Sequence, residues 1–318
     1  MPFTLDAEVG SALAKLMGGQ EPPKIPAGDV NGRRQLLDGL FAALISLHTP
    51  VADVETKDFH AQAEDGHSIL CRWYTKTGST PSGSAIVYAH GGGYIALTVE
   101  QYDQVVKRYV STTGVPFLMV DYRLSPEVQA PVHVSDVYAG LKWLVAHAAE
   151  LGVDARRIGI MGDSAGGGIT ASLAHYIKLK GGPAVAKQIL IYPMLDDRNV
   201  QVDENLAPYA TWSTDDNITG WKAVLGEKQG KDGVDPIEAA GRMTVNDAKN
   251  LPPTYMDVGE LDLFRDEDLQ YAATLGKAGV PCEFHMFPGV PHAFEGFAPE
   301  AAVSKAVMEG RFRAIRSL

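Results

Sequence analysis

The chain has 318 residues, which is long for one average domain but within the range of a single α/β domain with insertions. Apolar residues make up 45% of it and charged residues 21%, as in soluble globular proteins, and the formal net charge is −11. This charge argues against nucleic acid and anionic membranes as partners, and no apolar run is long enough to cross a bilayer. Because the first residues lack a basic and an apolar signal region, we expect a cytoplasmic protein.

Cysteine usage and motif content give no sign of a metal site. The two cysteines, Cys71 and Cys282, fall in predicted strands and are expected to be buried free thiols. There is no H-E-x-x-H pattern and no cysteine pair at ligand spacing, so neither a metal nor a cofactor is expected.

The chain begins with a helical segment and a predicted hairpin. Residues 1–50 are helical in pattern, and residues 34–47 place apolar side chains at helical spacing. We expect this N-terminal segment either to pack on the core or to act as a lid. Residues 54–63 and 68–75 alternate in polarity around Asp65-Gly66, which predicts a β-hairpin.

A glycine-rich turn follows the next predicted strand, at residues 84–89. The turn reads HGGGY at 90–94, and three successive glycines expose backbone N–H groups without obstruction by Cβ atoms. Such a turn suits an oxyanion hole, with a flexible loop or a weak phosphate cradle as the alternatives. No Lys-Ser or Lys-Thr pair follows the glycines, so a P-loop is not expected.

Strands and helices then alternate up to a second glycine-rich turn. We predict a helix over 102–112, a strand over 117–120 and an amphipathic helix over 134–149 whose capping box starts at Ser135. The charged residues before that helix are interpreted as structural: Asp121, Arg123 and Glu127. The alternation predicts βαβ crossovers and a mainly parallel sheet, in which reactive groups gather at the carboxyl ends of the strands.

The second turn reads GDSAG at 162–166 and lies between a buried strand at 158–161 and a helix at 169–179. A G-x-S-x-G pattern between a strand and a helix is typical of a nucleophile elbow. The glycines allow a tight turn that lifts the hydroxyl of Ser164 from the sheet, and the next N–H lies at a helix N-terminus, where an oxyanion is stabilised. The alternative is a small-residue turn with an incidental serine, since a serine alone is a poor nucleophile.

After the elbow helix the pattern becomes irregular and then regular again. A strand is predicted over 185–192, and residues 196–250, rich in Asp, Asn and Gly, are interpreted as an insertion of short helices over the sheet. Strands at 254–258 and 282–287 and a helix at about 300–315 complete the chain. Asp262 and His292 lie in the loops that follow these two strands.

Ser164, Asp262 and His292 thus follow three separate strands, in the chain order of an α/β-hydrolase catalytic triad. Ser164 would attack a carbonyl, His292 would take and return its proton, and Asp262 would orient and stabilise the imidazole. The oxyanion would be bound by three backbone N–H groups, those of Gly91, Gly92 and Ala165.

Other residues compete for the roles of acid and base. The competing acids are Asp257, Glu260, Asp266 and Asp268. The first lies inside a strand, and the last two are expected to be solvated charges at the start of a helix. Among the histidines, His285 alternates within a strand and should not project as a base must, and His90 is expected to hold the glycine turn by hydrogen bonds. We therefore prefer the two loop residues.

The combined motifs resemble the hormone-sensitive lipase family of α/β-hydrolases, also called bacterial esterase family IV. The residues that carry the resemblance lie between about 84 and 295: HGGGY at 90–94, DYRLSPE at 121–127, GDSAGG at 162–167, Asp262 with DE at 266–267, and HAF at 292–294. The set is specific, although no single motif is. Ser125 stands where the family usually has alanine, and Leu263 where it usually has proline.

The resemblance implies an α/β-hydrolase fold: a mostly parallel central sheet of about eight strands, flanked by helices and covered by a helical cap. The cap would comprise residues 1–50 and 196–250, and the core residues 51–195 and 251–318. Family habit suggests a homodimer through the last strand. Candidate pocket residues, each with core packing or support of the elbow as the alternative, are Tyr94, Asp163, Met194, Trp212, Leu263, Phe264 and Phe294.

The implied activity is that of a serine carboxylesterase acting on small-molecule esters with short to medium acyl or aryl groups. The same triad could also serve an amidase such as an aryl formamidase, or a lactonase. An alternative of a different class is a ligand receptor on a retired hydrolase scaffold. Such receptors lose the catalytic histidine, whereas His292 is present here in a matching context.

Overall fold

The computed structural model describes residues 3–18, 23–80 and 83–318. Helices α1 (Ala7–Met17) and α2 (Val30–Ser46) precede the first strand, as predicted for the N-terminal segment. Asp6 and Asp29 begin them by accepting N–H groups of the first turn. Residues 1, 2 and 19–22 of the predicted segment lie outside the described residues.

Within the described part of the chain, eight strands form one mostly parallel sheet, as predicted. In chain order they are β1 (Val54–Gln62), β2 (Ser68–Lys76), β3 (Gly83–Ala89), β4 (Phe117–Val120), β5 (Val153–Asp163), β6 (Lys187–Ile191), β7 (Thr254–Gly259) and β8 (Cys282–Phe287). Their order across the sheet is β1-β2-β4-β3-β5-β6-β7-β8. β1 and β2 form the predicted hairpin, β2 pairs antiparallel with β4, and the remaining neighbours are parallel.

Helices cover both faces of the sheet. The later ones are α3 (Val99–Thr113), α4 (Val132–His147), α5 (Ala165–Lys180), α6 (Thr214–Leu225), α7 (Val245–Ala248), α8 (Arg265–Lys277), α9 (Phe294–Phe297) and α10 (Ala302–Arg316). Buried side chains of α4, α5 and α8 pack on one face, and those of α3 and α10 on the other. None of the helices in the described residues is long and apolar enough to cross a membrane.

The central strands explain why the sequence has short apolar runs there. In β3, Ala85 and Val87 belong to the core cluster under α4 and α5, whereas Ile86 and Tyr88 belong to the cluster under α3 and α10. A strand buried on both faces needs a nearly continuous apolar sequence. Because β3, β5, β6, β7 and β8 are parallel, the loops after them all lie along one edge of the sheet.

Residues 196–250, called the insertion below, form short helices as predicted. Besides α6 and α7 they contain three 3-10 turns, at Ala207–Tyr209, Gly226–Lys228 and Ala240–Arg242. The buried Arg33 of α2 donates to Asp216 of α6 at 2.7 Å, and Thr219 of α6 accepts the N–H of Gly28 at 2.8 Å. The N-terminal helices and the insertion therefore bond to each other directly.

The predicted start of α4 is wrong. The helix begins at Val132, directly after Pro131, and Ser135 lies within its first turn, where its N–H donates to the Pro131 carbonyl at 3.1 Å. No side chain caps this helix, so the capping box predicted at Ser135 does not form. Proline restricts φ to helical values and lacks an N–H group, so it can begin a helix without such a cap.

Candidate active site

Ser164 lies in the tight turn that joins β5 to α5. Its backbone has φ 54° and ψ −122°, a combination that residues with a side chain rarely adopt. Its N–H donates to the Ile191 carbonyl at 2.9 Å, and its own carbonyl accepts from Gly168 at 3.0 Å and from Met194 at 2.9 Å. The surrounding chain therefore holds the strained serine in place.

Two glycines make this turn possible. A Cβ at Gly162 would lie 2.2 Å from the Gly166 carbonyl oxygen, and a Cβ at Gly166 would lie 2.1 Å from the Ala89 carbonyl oxygen. Both contacts are with backbone, so no side-chain rotation could relieve them. The sequence-based argument that this turn needs glycines on both sides of the serine is confirmed.

The structure brings the three predicted catalytic residues together. His292 Nε2 lies 3.0 Å from Ser164 Oγ, and His292 Nδ1 lies 2.7 Å from Asp262 Oδ2. The second oxygen of Asp262, Oδ1, accepts the N–H of Phe264 at 2.9 Å. Ser164 is 7% exposed, His292 8% and Asp262 0%, so these hydrogen bonds are largely shielded from water. The carboxylate of Asp262 accepts a hydrogen bond from Nδ1–H, which leaves the Nε2 lone pair directed at the serine hydroxyl.

The imidazole of His292 is enclosed by aromatic rings. Phe264 meets it edge to face with centroids 5.0 Å apart, and Tyr192 does so at 4.5 Å. The hydroxyl of Tyr192 donates to Glu295 at 2.6 Å, and Glu295 also accepts from Arg311 at 2.5 Å. These contacts hold the imidazole of His292 in the orientation in which Nδ1 bonds to Asp262 and Nε2 bonds to Ser164.

A buried ion pair extends this network away from the triad. Arg311 donates two hydrogen bonds to Asp257, at 2.8 and 2.9 Å, and each side chain is 1% exposed. Burial raises the pKa of Asp257, while the charge of Arg311 and its hydrogen bonds oppose the rise. Asp257 thus lies inside β7, as predicted, and its carboxylate is paired with Arg311.

The competing histidines have partners of their own. His285 in β8 bonds to Glu283 at 2.7 Å. His90 Nδ1 lies 2.7 Å from the carbonyl oxygen of Gly91, the kind of hydrogen bond predicted for it. Burial lowers the pKa of His90 to about 4, so it is neutral at neutral pH and holds the glycine turn as a donor.

Asp268 is buried, contrary to the sequence-based expectation of a solvated charge. Neither of its carboxylate oxygens has a hydrogen-bond partner among the described residues. Burial raises the pKa of Asp268 well above its ordinary value, and the nearby Glu267 and Asp262 raise it further. The expectation failed because position in the first turn does not say which side of α8 packs on the core. Asp266 is exposed as predicted and pairs with Arg265 at 2.7 Å.

The glycine turn after β3 offers unpaired N–H groups beside the elbow. A Cβ at Gly91 would lie 2.7 Å from the Tyr102 hydroxyl oxygen, so Gly91 packs directly against that side chain. Within the described residues, no acceptor takes the N–H of Gly92, Gly93 or Ala165. Gly93 was not among the predicted donors and is a further candidate, because three successive glycines do not reveal which two face the serine.

Five predicted pocket residues pack in one apolar cluster beside these turns: Tyr94, Met194, Trp212, Leu263 and Phe264. A Cβ at Gly93 would lie only 2.4 Å from the ring of Trp212, so the indole of the insertion covers the glycine turn directly. Met194 bonds to the serine backbone and Phe264 contacts the histidine ring. Met194, Phe264 and Trp212 therefore lie next to the serine turn, the histidine ring and the glycine turn, respectively.

Phe294 and Asp163 lie elsewhere, although they neighbour the predicted catalytic residues in the chain. Phe294 packs with Val9 of α1 in a separate apolar cluster. The carboxylate of Asp163 accepts the hydroxyls of Tyr88 at 2.5 Å and Tyr102 at 2.6 Å in the packed interior. Asp163 thus supports the elbow from behind, which was the alternative given for it.

Two cavities lie next to Leu263, the residue after Asp262. One, of about 170 Å³, is lined by Val202, Asp203, Leu206, Ala207, Ala210, Ser213, Thr214, Asp215 and Leu263. The other, of about 350 Å³, is more polar and is lined by Asp196, Arg198, Asn199, Gln201, Asp203, Leu206, Leu263, Asp266, Glu267 and Gln270. Both are formed largely by the insertion, so the insertion shapes the surroundings of the acid loop.

The chain is similar to known esterases over its length. A family model described as an α/β-hydrolase fold matches residues 86–296. Esterase LipI of Mycobacterium tuberculosis is 32% identical over 67% of this chain and 66% of its own, and an ethyl acetate hydrolase of Pseudomonas putida is 31% identical over 74% of each. A structure described as a bacterial heroin esterase superposes with a TM-score of 0.89 at 34% identity, covering 99% of this chain and 98% of its own. With this fold and these relatives, the chain belongs to the hormone-sensitive lipase family of α/β-hydrolases and is a carboxylic ester hydrolase.

Proposed function

We propose that this protein is a serine carboxylesterase in which Ser164, His292 and Asp262 form the catalytic triad. The observation that carries the proposal is the continuous pair of hydrogen bonds, 3.0 Å from Ser164 to His292 and 2.7 Å from His292 to Asp262. These distances lie within the range in which a base can take a proton from a nucleophile. The strained backbone of the serine supports the same assignment, since strain of this kind concentrates at functional sites.

In the proposed reaction, Ser164 Oγ attacks the ester carbonyl while its proton passes to His292 Nε2. The imidazolium is stabilised by Asp262 and then protonates the alcohol that leaves, so that an acyl-enzyme on Ser164 remains. Water, deprotonated by His292, attacks this acyl group and releases the carboxylic acid and the free serine. In each half of the cycle a proton passes through His292 Nε2, first from Ser164 to the leaving alcohol and then from water back to Ser164 Oγ, so one base serves both halves.

The oxyanion of each tetrahedral intermediate needs preorganised donors. We assign this role to the N–H groups of Gly92, Gly93 and Ala165, which no acceptor among the described residues takes, and give Gly91, which packs against the Tyr102 hydroxyl, a structural role. Ala165 is the first residue of α5, so the positive end of the helix dipole adds to its N–H. Removing one donor of this type typically costs about 3–4 kcal/mol of transition-state stabilisation.

We propose short to medium acyl or aryl esters as substrates and assign residues 1–50 and 196–250 to a cap. One observation supports a limited acyl length: Ser164 is only 7% exposed, so little open space surrounds its hydroxyl. The related ethyl acetate hydrolase of Pseudomonas putida is named for a small ester, which agrees with this range. An amidase or lactonase would use the same triad, so assays of a p-nitrophenyl ester, an aryl formamide and a lactone side by side decide among the three.

The central test is Ser164→Ala, assayed with p-nitrophenyl esters from acetate to octanoate. We expect kcat to fall by about 10⁴-fold or more, with the melting temperature preserved, because the substitution removes the nucleophile and little else. Ser172→Ala is the matched control, since Ser172 lies on α5, the helix that follows Ser164, and its hydroxyl bonds to the Pro236 carbonyl at 3.1 Å. If the Ser164 variant keeps most of its activity, the proposed mechanism is wrong.

A further inference from the structure

Two adjacent residues of the insertion touch both loops of the proposed active site. Thr211 Oγ1 donates a hydrogen bond to the His292 carbonyl oxygen at 2.7 Å. The next side chain, Trp212, covers Gly93 of the glycine turn, where an added Cβ would lie 2.4 Å from the indole ring. This pair of residues therefore connects the loop that carries the base to the turn that carries the oxyanion donors.

In the hydrogen bond between Thr211 and His292, the backbone around Thr211 has a fixed position. Trp212 is 6% exposed, and its indole N–H points to Asn217 at 3.5 Å. Ser213 is the N-cap of α6 and exchanges hydrogen bonds with Asp216 in a capping box. Asp216 in turn pairs with the buried Arg33 of the N-terminal helices at 2.7 Å. The backbone of Thr211 is thus held from the side of the insertion by burial, a cap and an ion pair.

The loop that carries His292, called the base loop below, in contrast turns sharply just after the histidine. Ala293 has φ 56°, in the left-handed region that favours glycine, so the chain direction changes at the peptide group whose oxygen Thr211 binds. The ring of His292 is held by Asp262, but that bond fixes the ring relative to the acid and does not fix the loop relative to the insertion. The hydrogen bond from the Thr211 hydroxyl does fix this loop relative to the insertion.

We infer that Thr211 is a positioning residue for His292: its hydroxyl holds the base loop so that Nε2 stays in reach of Ser164 Oγ. This inference rests on the proposed function, because it concerns the same catalytic base. It also assigns the insertion a part in assembling the site, in addition to covering it. Small displacements of a catalytic group are costly, and a shift of 1 Å can cost about 10²-fold in rate.

Thr211 is exposed at the surface, which makes the inference easy to test. Thr211→Val keeps the shape of the side chain and removes the hydroxyl, whereas Thr211→Ser keeps the hydroxyl and removes a methyl group. If the hydroxyl positions the base, the valine variant loses kcat and the serine variant keeps it. If Thr211 only fills space, both variants differ from the wild type by similar small amounts.

The experiment measures two rates for the wild type and both variants, together with their melting temperatures. One is the second-order rate at which a fluorophosphonate labels Ser164, followed by mass spectrometry of the peptide, and it needs no knowledge of the natural substrate. The other is the hydrolysis of p-nitrophenyl acetate, resolved into kcat and KM. For Thr211→Val we expect both the labelling rate and kcat to fall about fivefold, the factor that one ordinary hydrogen bond represents, with KM changed less than twofold.

The outcomes separate the two proposals. Equal labelling of the wild type and Thr211→Val, or equal loss in the valine and serine variants, overturns the positioning role and leaves the triad untouched. A wild type whose Ser164 is not labelled overturns the proposed function and this inference with it. A loss in the valine variant that is accompanied by a large fall in melting temperature would show a structural role, and it too would refute the inference.

Discussion

Replacing the proposed acid by its amide gives a sharp test of how the triad works. In Asp262→Asn, the new side chain must still face two groups: the N–H of Phe264, 2.9 Å from Oδ1, and His292 Nδ1, 2.7 Å from Oδ2. If the amide nitrogen faced Phe264, two N–H groups would oppose each other in a buried site, at a cost of about 1–3 kcal/mol. The amide nitrogen therefore turns to His292 and donates to Nδ1.

This orientation predicts the size of the effect. A donor at Nδ1 places the imidazole proton on Nε2, which then donates to Ser164 Oγ and has no lone pair with which to accept its proton. An acid-to-amide change that enforces this tautomer lowers kcat by about 10⁴-fold, equivalent to about 5 kcal/mol of activation free energy. The fold should persist because the two side chains are nearly identical in shape.

The assay is the hydrolysis of p-nitrophenyl acetate at pH 7–8, with melting temperature as the check on folding. Asp154→Asn serves as a control for the same chemical change, because Asp154 pairs with the exposed Arg156 and lies outside the proposed site. We expect this control to match the wild type. A folded Asp262→Asn enzyme with kcat within tenfold of the wild type would refute the tautomer argument and the assignment of the acid.

Two further predictions concern stability. Arg311→Met should lower the free energy of unfolding by about 3–5 kcal/mol, measured by urea denaturation, because it leaves Asp257 buried without its partner; a loss below about 1 kcal/mol would contradict the importance of this pair. The hydrogen bond from Arg34 lowers the pKa of Glu127 to about 2, against an ordinary value of about 4.3, so its contribution is present above about pH 5 and lost as the pH falls toward 2. Because Glu127 is 60% exposed at its side chain, we expect Glu127→Gln to cost less than about 1 kcal/mol at pH 7 and nothing near pH 2; a difference that persists near pH 2 would refute this linkage.

The sequence could specify the three proposed catalytic residues because each follows a local pattern. A strand, a tight glycine turn and a helix identify Ser164, and the loops after the next predicted strands contain Asp262 and His292. Parallel strands gather such loops along one edge, so chain order and strand pattern were enough to predict that the three would meet. The glycines at 162 and 166 followed from the same reasoning, since the turn leaves no space for a Cβ at either position.

The orientation of side chains in packed regions was decided by tertiary structure alone. Asp268 was predicted to be solvated because it opens a helix, but the packing of α8 buries it. Asp163 directly precedes Ser164 and Phe294 follows His292 by two positions, yet their side chains point into other parts of the interior. Neighbouring positions in a chain can face opposite sides of the backbone, and only the fold settles which side meets the site.

What the sequence determined by itself is the set of local elements and the choice of the proposed nucleophile, base and acid, because strand pattern, glycine turns and chain order depend on neighbouring residues. What only the tertiary structure decided is how distant segments meet: that the indole of Trp212 covers Gly93, and that Thr211 bonds to the His292 carbonyl across 81 positions of the chain. A hydrogen bond between distant segments has no periodic signature in a sequence, since it depends on the position that both segments reach only after the core has packed.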